Sequence, residues 1–514
     1  MWVNVLNGLI GIGWVVLAAF SLHCLWLLAI VWRHHREAPL PHESFRVLPV
    51  VTVQLPVFNE RYVVERLLAA VAQLDYPWER LEIQVLDDST DDTTELVARQ
   101  VARLSAQGYR ITHRHRTHRT GYKAGALAEG LAVAEGEFVA LFDADFLPPP
   151  DFLQRTVPYF TDPAVGMVQA RWGHLNRKDS FLTRAQALML DGHFLIEQTA
   201  RSRGGLFFNF NGSAGIWRAA AIRAAGGWHS DTLAEDLDLS YRAQLAGWRF
   251  VYLDDLVVPA ELPTDISSLK TQHHRWTKGS TQVALKLLPR ILRHPLPWRV
   301  KLAACFHFGN WLNYPVGVLV ALLVLPELMA GRYPLAAQTG PLWGGLVGIV
   351  LLFTTIVFHA VSQWRCRAPR WQFLIDTPLL MAVSVGLALN NTLAMWEAIR
   401  RVPSAFHRTP KYRDATDTSR PTYRAQPGTT RWWWTEVALG VYVCIALGYA
   451  ASRALYTMVP FLIPLSAGFL FSGLSALVPL DNRMPPSVVS TEETLPAALE
   501  PVVVDTGADV SVPS

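Results

Sequence analysis

Charge is what this 514-residue chain has little of: Asp, Glu, Lys and Arg make up 17% of it, against roughly a quarter in soluble proteins. The shortfall is local, because residues 34–298 read like a soluble enzyme while long uncharged runs lie on either side. A wholly soluble protein is excluded. Cysteine is scarce too. Cys24, Cys305, Cys366 and Cys444 have no paired spacing, so neither a disulfide framework nor a zinc site is indicated. No internal repeat is visible, which argues against a solenoid or propeller. The first apolar run, Gly8–Val31, lacks a basic start, and no clear small-residue cleavage site precedes Trp32-Arg33-His34-His35-Arg36. It therefore reads as a retained anchor rather than a signal peptide. The net charge of +4 is accounted for by juxtamembrane Arg and Lys facing anionic lipid. Nucleic acid is a poorer explanation, even for the basic stretch His113–Arg119.

What is present in quantity is apolar sequence, 51% of the chain. A bilayer crossing needs about 20 such residues. After residue 298 the apolar segments are 302–326, 342–363, 373–396, 433–451 and 455–479. Two basic linkers, one from Trp364-Arg365-Cys366-Arg367 through Arg370 and one from Arg400 through Arg431, are expected on the cytoplasmic side. Segment 373–396 then cannot cross once between them. It contains Asp376, Pro378 and Asn390-Asn391, and is expected to be interfacial or re-entrant. Five spans follow, with the N-terminus outside. The expected division is an anchor at 1–33, a catalytic domain at 34–298 with interfacial helices, a membrane and channel region at 299–480 containing a loop at 400–432, and a disordered tail at 481–514.

The soluble region alternates strand and helix patterns. Val50 to Pro56 is a buried-strand run followed by Phe58-Asn59-Glu60 and helical periodicity at Val63, Leu67, Leu68 and Val71. Leu81 to Leu86 is a second strand ending at Asp87-Asp88-Ser89-Thr90, with Ser89 or Thr90 a candidate cap for a helix over 94–107. A helix around Ala124–Ala134 leads to Phe138-Val139-Ala140-Leu141-Phe142 and then Asp143-Ala144-Asp145. The alternation predicts a parallel, doubly wound sheet with ligands beyond its strand ends. Two carboxylates one residue apart at such an end offer hard oxygens suited to Mg²⁺ or Mn²⁺ and, through the metal, a phosphate-bearing ligand. Glu235-Asp236 fits either a general base or acids in a helix's first turn. In Gln272-His273-His274-Arg275-Trp276, Trp offers a stacking face for sugars and Arg a fork for phosphate, while an amphipathic membrane-surface helix is the alternative. The two histidines lack metal-ligand spacing.

Taken together, Asp87-Asp88, Asp143-Ala144-Asp145, Glu235-Asp236 and Gln272-x-x-Arg275-Trp276 resemble the D, DxD, ED and QxxRW motifs of processive family-2 glycosyltransferases of the cellulose-synthase superfamily. The similarity is strongest to the plant mannan-synthase and xyloglucan-backbone-synthase branches and their bacterial relatives. It rests also on Gly121-Tyr122-Lys123-Ala124-Gly125-Ala126-Leu127 and on Phe210-Asn211-Gly212-Ser213 through Arg218, and covers roughly residues 50–415. The resemblance implies a GT-A-type (Rossmann-like) α/β catalytic domain inserted between transmembrane helices. Phe58, Asn59, Glu60 and Asp87 or Asp88 would hold the nucleotide, with Lys123 near the diphosphate. Asp145, assisted by Asp143, would bind the divalent cation, and Asp236 in the Glu235-Asp236 motif would be the catalytic base. Trp276 would stack under the acceptor sugar near Gln272 and Arg275, and Asn211-Gly212 would occupy the acceptor-side finger position. Phe406-His407-Arg408-Thr409-Pro410-Lys411 is similar to the FxVTxK gating loop, with Arg408 in place of Val.

These expectations describe an inverting, metal-dependent hexosyltransferase. It would polymerise a β-linked, 1,4-type mannan, glucomannan or glucan from GDP-mannose or UDP-glucose and export it. Its partners would be the growing polysaccharide and membrane lipid, not nucleic acid, and its location a bacterial inner membrane with the catalytic side cytoplasmic. A non-processive glycolipid-forming transferase is the nearest alternative, and a transporter with a regulatory domain a remote one.

Overall fold

The computed structural model describes residues 2–35, 37–329, 342–367, 371–404, 411 and 432–475. Seven strands form one mixed sheet: β1 (Val51–Val57), β2 (Leu81–Asp87), β3 (Ile111–His115), β4 (Phe138–Leu141), β5 (Val165–His174), β6 (Gly215–Arg218) and β7 (Arg249–Ala260). Their order is β3-β2-β1-β4-β6-β5-β7. The first four are parallel, as the strand–helix alternation predicts, but β6 runs antiparallel to both β4 and β5. The expectation of a wholly parallel sheet is corrected at this point. β6 is four residues long, and its short apolar run carries no sign of direction.

Both faces of β1 and β2 are covered, so their residues are buried without alternation. One face packs on the helices Val64–Ala72 and Thr93–Ala106, and the other on Tyr122–Ala132. Register is fixed by buried polar pairs between neighbours. Thr52 donates to Glu82 at 2.6 Å and Gln54 to Gln84 at 3.0 Å, both opposite one another in the ladder. A slip of one residue would leave all four groups facing hydrocarbon. The helix after β2 is not capped by Ser89 or Thr90; the Thr93 amide donates to Asp91 Oδ1 at 3.0 Å instead.

Among the described residues, three helices are long and apolar enough to cross a membrane: Gly11–Arg33, Trp298–Met329 and Trp433–Ser452. Leu342–Cys366 is a further 25-residue helix whose last turn carries Arg365. Segment 373–396 forms two helices, Gln372–Gly386 and Ala388–Ile399, bent by 44°. That geometry fits a broken span or a re-entrant loop. The last expected span is shorter than anticipated, Val459–Leu474, at 16 residues. The tail 481–514 lies outside the described residues.

A 28-residue helix, Ile266–Arg293, runs between the two halves. Its Lys270 ammonium meets Glu436 at 2.7 Å and its Lys278 meets Glu397 at 2.8 Å, all on helices of the apolar half. Such pairs are strongly destabilising to break, because the surviving charge stays buried. The helix is thereby held in place with its Gln272–Trp276 turn against the sheet's ligand edge.

Candidate active site

One cleft at the carboxyl ends of the parallel strands gathers Phe58, Glu60, Asp88, Arg119, Lys123, Asp143, Asp145, Asn211, Gly212, Glu235, Asp236, Gln272, Arg275, Trp276 and Lys411. Two expected nucleotide ligands, Asn59 and Asp87, do not line it. Asn59 sits in the left-handed region (φ 55°), which Asn tolerates better than most residues. Its backbone N–H donates to Ser89 Oγ at 2.8 Å, and its Oδ1 accepts from the Thr90 amide at 2.8 Å. It ties the first strand-end loop to the second. Asp87 ends β2 fully buried. Its Oδ2 is met by His113 at 2.9 Å and His115 at 3.3 Å, and its Oδ1 accepts the Ser89 amide at 2.8 Å. Burial works to raise its pKa, but hydrogen bonds from His113 and Ser89 outweigh it and bring the carboxyl down to about 2.

Asp88, the neighbour, does face the cleft, and Arg116 grips it bidentately at 2.6 and 2.7 Å. Arg119 lies 3.6 Å from the same carboxylate with its guanidinium 3.4 Å over the Phe58 ring. Neither arginine is singled out by sequence, where His113–Arg119 is only a basic stretch poorly explained by nucleic acid. The signal was available, since the stretch ends two residues before Gly121-Tyr122-Lys123. Glu261 was also missed. It follows β7 at the same sheet edge and pairs with Arg66 at 2.6 Å.

The two carboxylates of Asp143-Ala144-Asp145 each hold an ammonium. Lys123, in the first turn of Tyr122–Ala132, pairs with Asp143 and donates to Gly212 O at 2.9 Å. Lys411 lies 2.7 Å from Asp145 Oδ2 and 2.7 Å from Glu261 O. Burial opposes the Lys123 charge, yet Asp143, Glu235 and Asp236 outweigh it and hold its pKa above the usual value. Hard carboxylate oxygens that draw two cationic groups onto one strand end are a donor set that fits a divalent cation. Phe406 and Thr409 lie outside the described residues.

Glu235 and Asp236 open the helix Glu235–Leu245, so the first-turn reading holds for their position. Asp236 nevertheless differs from an ordinary first-turn acid. Desolvation first, and then the Glu235 charge, push its pKa up to about 7, against the opposing pull of Lys123 and Arg275. Gly212 adopts φ 82°, and a Cβ there would come within 2.9 Å of Asp236 Oδ2, so only glycine lets this turn approach the carboxylate. Gly279 plays the same part behind it, since a Cβ would meet Ala234 at 2.9 Å. Trp276 is followed inward by His273, at a ring separation of 5.2 Å, then Trp311 at 6.4 Å and Tyr314 at 6.0 Å, which leads the aromatic surface into the span Trp298–Met329. His273 is buried and its pKa brought down to about 4 by desolvation, so it is a neutral ring.

The model of glycosyltransferase like family 2 matches residues 49–279. The chain is 45% identical over 271 residues to glucomannan 4-beta-mannosyltransferase 1 of Oryza sativa subsp. japonica, covering 51% of this chain and 52% of that protein. It is 40% identical over 388 residues to glucomannan 4-beta-mannosyltransferase 1 of Cyamopsis tetragonoloba, covering 71% and 70%. Mannosyltransferase PcManGT from Pyrobaculum calidifontis, solved in complex with GDP-Man and Mn²⁺, shares the fold at a TM-score of 0.51 and 24% identity, over 72% of this chain and 97% of that one. The chain belongs to glycosyltransferase family 2, with a GT-A-like fold. The alignments with the first curated relatives span about half of those proteins' length. Both curated relatives are plant proteins, so a bacterial membrane gains no support from them, whereas an integral membrane protein does agree with the apolar helices.

Proposed function

We propose that this chain is an inverting, membrane-embedded hexosyltransferase that extends a β-1,4-linked mannan or glucomannan from a nucleotide sugar, with GDP-mannose the first choice of donor. The observation that carries the reading is the convergence of Lys123, Asp143, Asp145 and Asp236 around the Gly212 turn in one cleft. The similarity to glucomannan 4-beta-mannosyltransferases supports the linkage and the sugar.

Phe58, Glu60 and Asp88 would hold the nucleoside end of the donor. Asp145 with Asp143 would hold Mg²⁺ or Mn²⁺, which when bound neutralises charge on the leaving diphosphate. Lys123, kept charged by three neighbouring carboxylates, lies where it can meet that diphosphate as the bond to the sugar breaks. Asp236 would take the proton from an acceptor hydroxyl resting on Trp276, and that oxygen would attack the anomeric carbon opposite the diphosphate. An α-linked donor then yields a β-glycoside without a covalent enzyme intermediate. A base with a pKa near 7 suits proton removal at neutral pH. The aromatic line from Trp276 to Tyr314 supports export between the apolar helices, with the cleft on the cytosolic side where nucleotide sugars occur.

The test uses full-length protein in sealed vesicles with the cleft outward, given labelled GDP-mannose or UDP-glucose and Mn²⁺. Long chains cut by β-mannanase after lysis, and protected from it before, are expected from GDP-mannose. A single-sugar lipid product would contradict polymerisation, and polymer from UDP-glucose alone would contradict the donor.

A further inference from the structure

Between the helices Phe181–Gly192 and Thr199–Arg203 the chain winds as a π-helix over His193–Gln198. Such turns are rare and tend to occur at functional sites. In an α-helix, residues five apart point about 140° away from each other. The wider π winding, closed by i→i+5 bonds, brings them to one side. Here the first and last residues of the turn, His193 and Gln198, both reach the side chain of Asn211.

Their hydrogen bonds have one consistent direction. The Gln198 amide donates to the backbone oxygen of Asn209 at 2.9 Å, which fixes its NH₂ end, and the same group donates to Asn211 Oδ1 at 2.5 Å. Asn211 must then present Nδ2–H to His193 Nε2, 3.0 Å away, so that nitrogen is an acceptor. The other ring nitrogen, Nδ1, donates to Glu197 Oε2 at 3.1 Å. Each end of the Asn211 amide thus has a partner on the π-turn, which fixes its orientation.

What Asn211 does hold is the turn behind the reacting groups. Gly212 O accepts from Lys123, and the Gly212 Cα lies against Asp236. Ser213 Oγ accepts the Asp143 amide at 2.9 Å. The Ser213 end is secured separately, because Gln169 donates to Ser213 O at 3.0 Å. On the Gly212 side the Asn211 backbone N–H also donates to Gln169 Oε1, at 3.0 Å, so what the π-turn adds is its hold on the Asn211 side chain.

We propose that His193 is a positioning residue for transfer: through Asn211 it fixes the Gly212 turn against Asp236 and Lys123, and the π winding is what lets His193 and Gln198 grip that amide together. This rests on Asp236 acting as the base. A misplacement of about 1 Å at a reacting group can cost about 100-fold in rate.

The experiment compares His193→Phe, which keeps a ring but removes the acceptor, with His193→Gln, whose amide oxygen can accept from Asn211 Nδ2. Full-length protein is assayed for turnover of GDP-mannose and, separately, for binding of GDP with Mn²⁺. His193→Phe should lower kcat by about 10- to 100-fold with the GDP affinity within about threefold, and Asn211→Leu should do the same. His193→Gln should recover most of the turnover. Normal kcat in His193→Phe would overturn the proposal. So would a His193→Gln defect equal to that of Phe, which would mean that ring shape matters and not the hydrogen bond. Loss of GDP binding together with turnover would assign the turn to the fold as a whole and also overturn it. If Asp236→Asn keeps full turnover, it is the functional reading that fails; if Asp236→Asn is inactive and His193→Phe is normal, only the positioning role does.

Discussion

At the sheet edge Asp87 is surrounded by donors, and at the start of the helix Glu235–Leu245 Asp236 stands beside another acid. The two carboxyls share a molecule and diverge by several pH units, one brought down to about 2 and the other up to about 7. Both are desolvated. The difference lies in what accompanies burial: His113 and two N–H and O–H donors of the Ser89 loop for Asp87, the Glu235 charge for Asp236. The first arrangement stabilises the fold; the second costs stability and gives a carboxyl suited to the proposed role of base. The sheet edge therefore reads as scaffold and binding surface, and the helix start as the reacting side.

The largest effect that would break this contrast is on turnover. Asp236→Asn keeps the shape and removes the base, and should cost about 10²–10⁴-fold in kcat with GDP binding retained; near-normal turnover would end the assignment. Metal removal comes next. EDTA should silence the enzyme and Mn²⁺ restore it, while Asp145→Ala should lose cation-dependent GDP binding by calorimetry; full activity in metal-free buffer would contradict the metal reading. Stability should respond with opposite signs at the two sites. Asp87 has its folded pKa below the ordinary 3.8, so it stabilises above about pH 4, and this is lost as pH falls toward 2. Asp87→Asn should therefore lower Tm at pH 7 by the equivalent of roughly 2 kcal/mol. Asp236 has a raised folded pKa, so its cost grows from about pH 4 to pH 7 and is full above that. Asp236→Asn should raise Tm at pH 8 and do little near pH 4; the same sign at both sites would dissolve the comparison. The smallest effect concerns the acceptor side, where Trp276→Ala should weaken acceptor binding by about 1 kcal/mol and shorten the product, read by sizing the polymer.

The sheet edge was the more legible half. Apolar runs ending in Asp87-Asp88 and Asp143-Ala144-Asp145 announce strands and their ligand edge through local pattern alone. The alternation predicted the parallel β1–β4 core, but not the antiparallel β6, whose direction depends on partners 46 to 80 residues away. Spacing also could not separate Asp87 from Asp88. Which of two adjacent acids faces the cleft is decided by strand alternation at the terminus and by the His113 and Arg116 side chains from the next strand and its loop. The reacting side is assembled from pieces far apart in sequence. The Lys278–Glu397 pair, which helps hold the helix beneath it, spans 119 residues, and no local signal marks it. The π-turn at His193–Gln198 has no recognisable pattern either, and its ends meet Asn211, which lies 13 and 18 residues further along the chain.

The central claim, that Asp236 is a base whose pKa is raised by burial and by Glu235, is tested most directly by kcat/KM against pH for the wild type and Glu235→Gln. The account predicts an acid limb near pH 7 in the wild type, with activity falling as Asp236 is protonated, and a limb moved to lower pH in Glu235→Gln because one neighbouring negative charge is gone. A flat wild-type profile between about pH 5 and 8, or a limb that Glu235→Gln leaves in place, would contradict it.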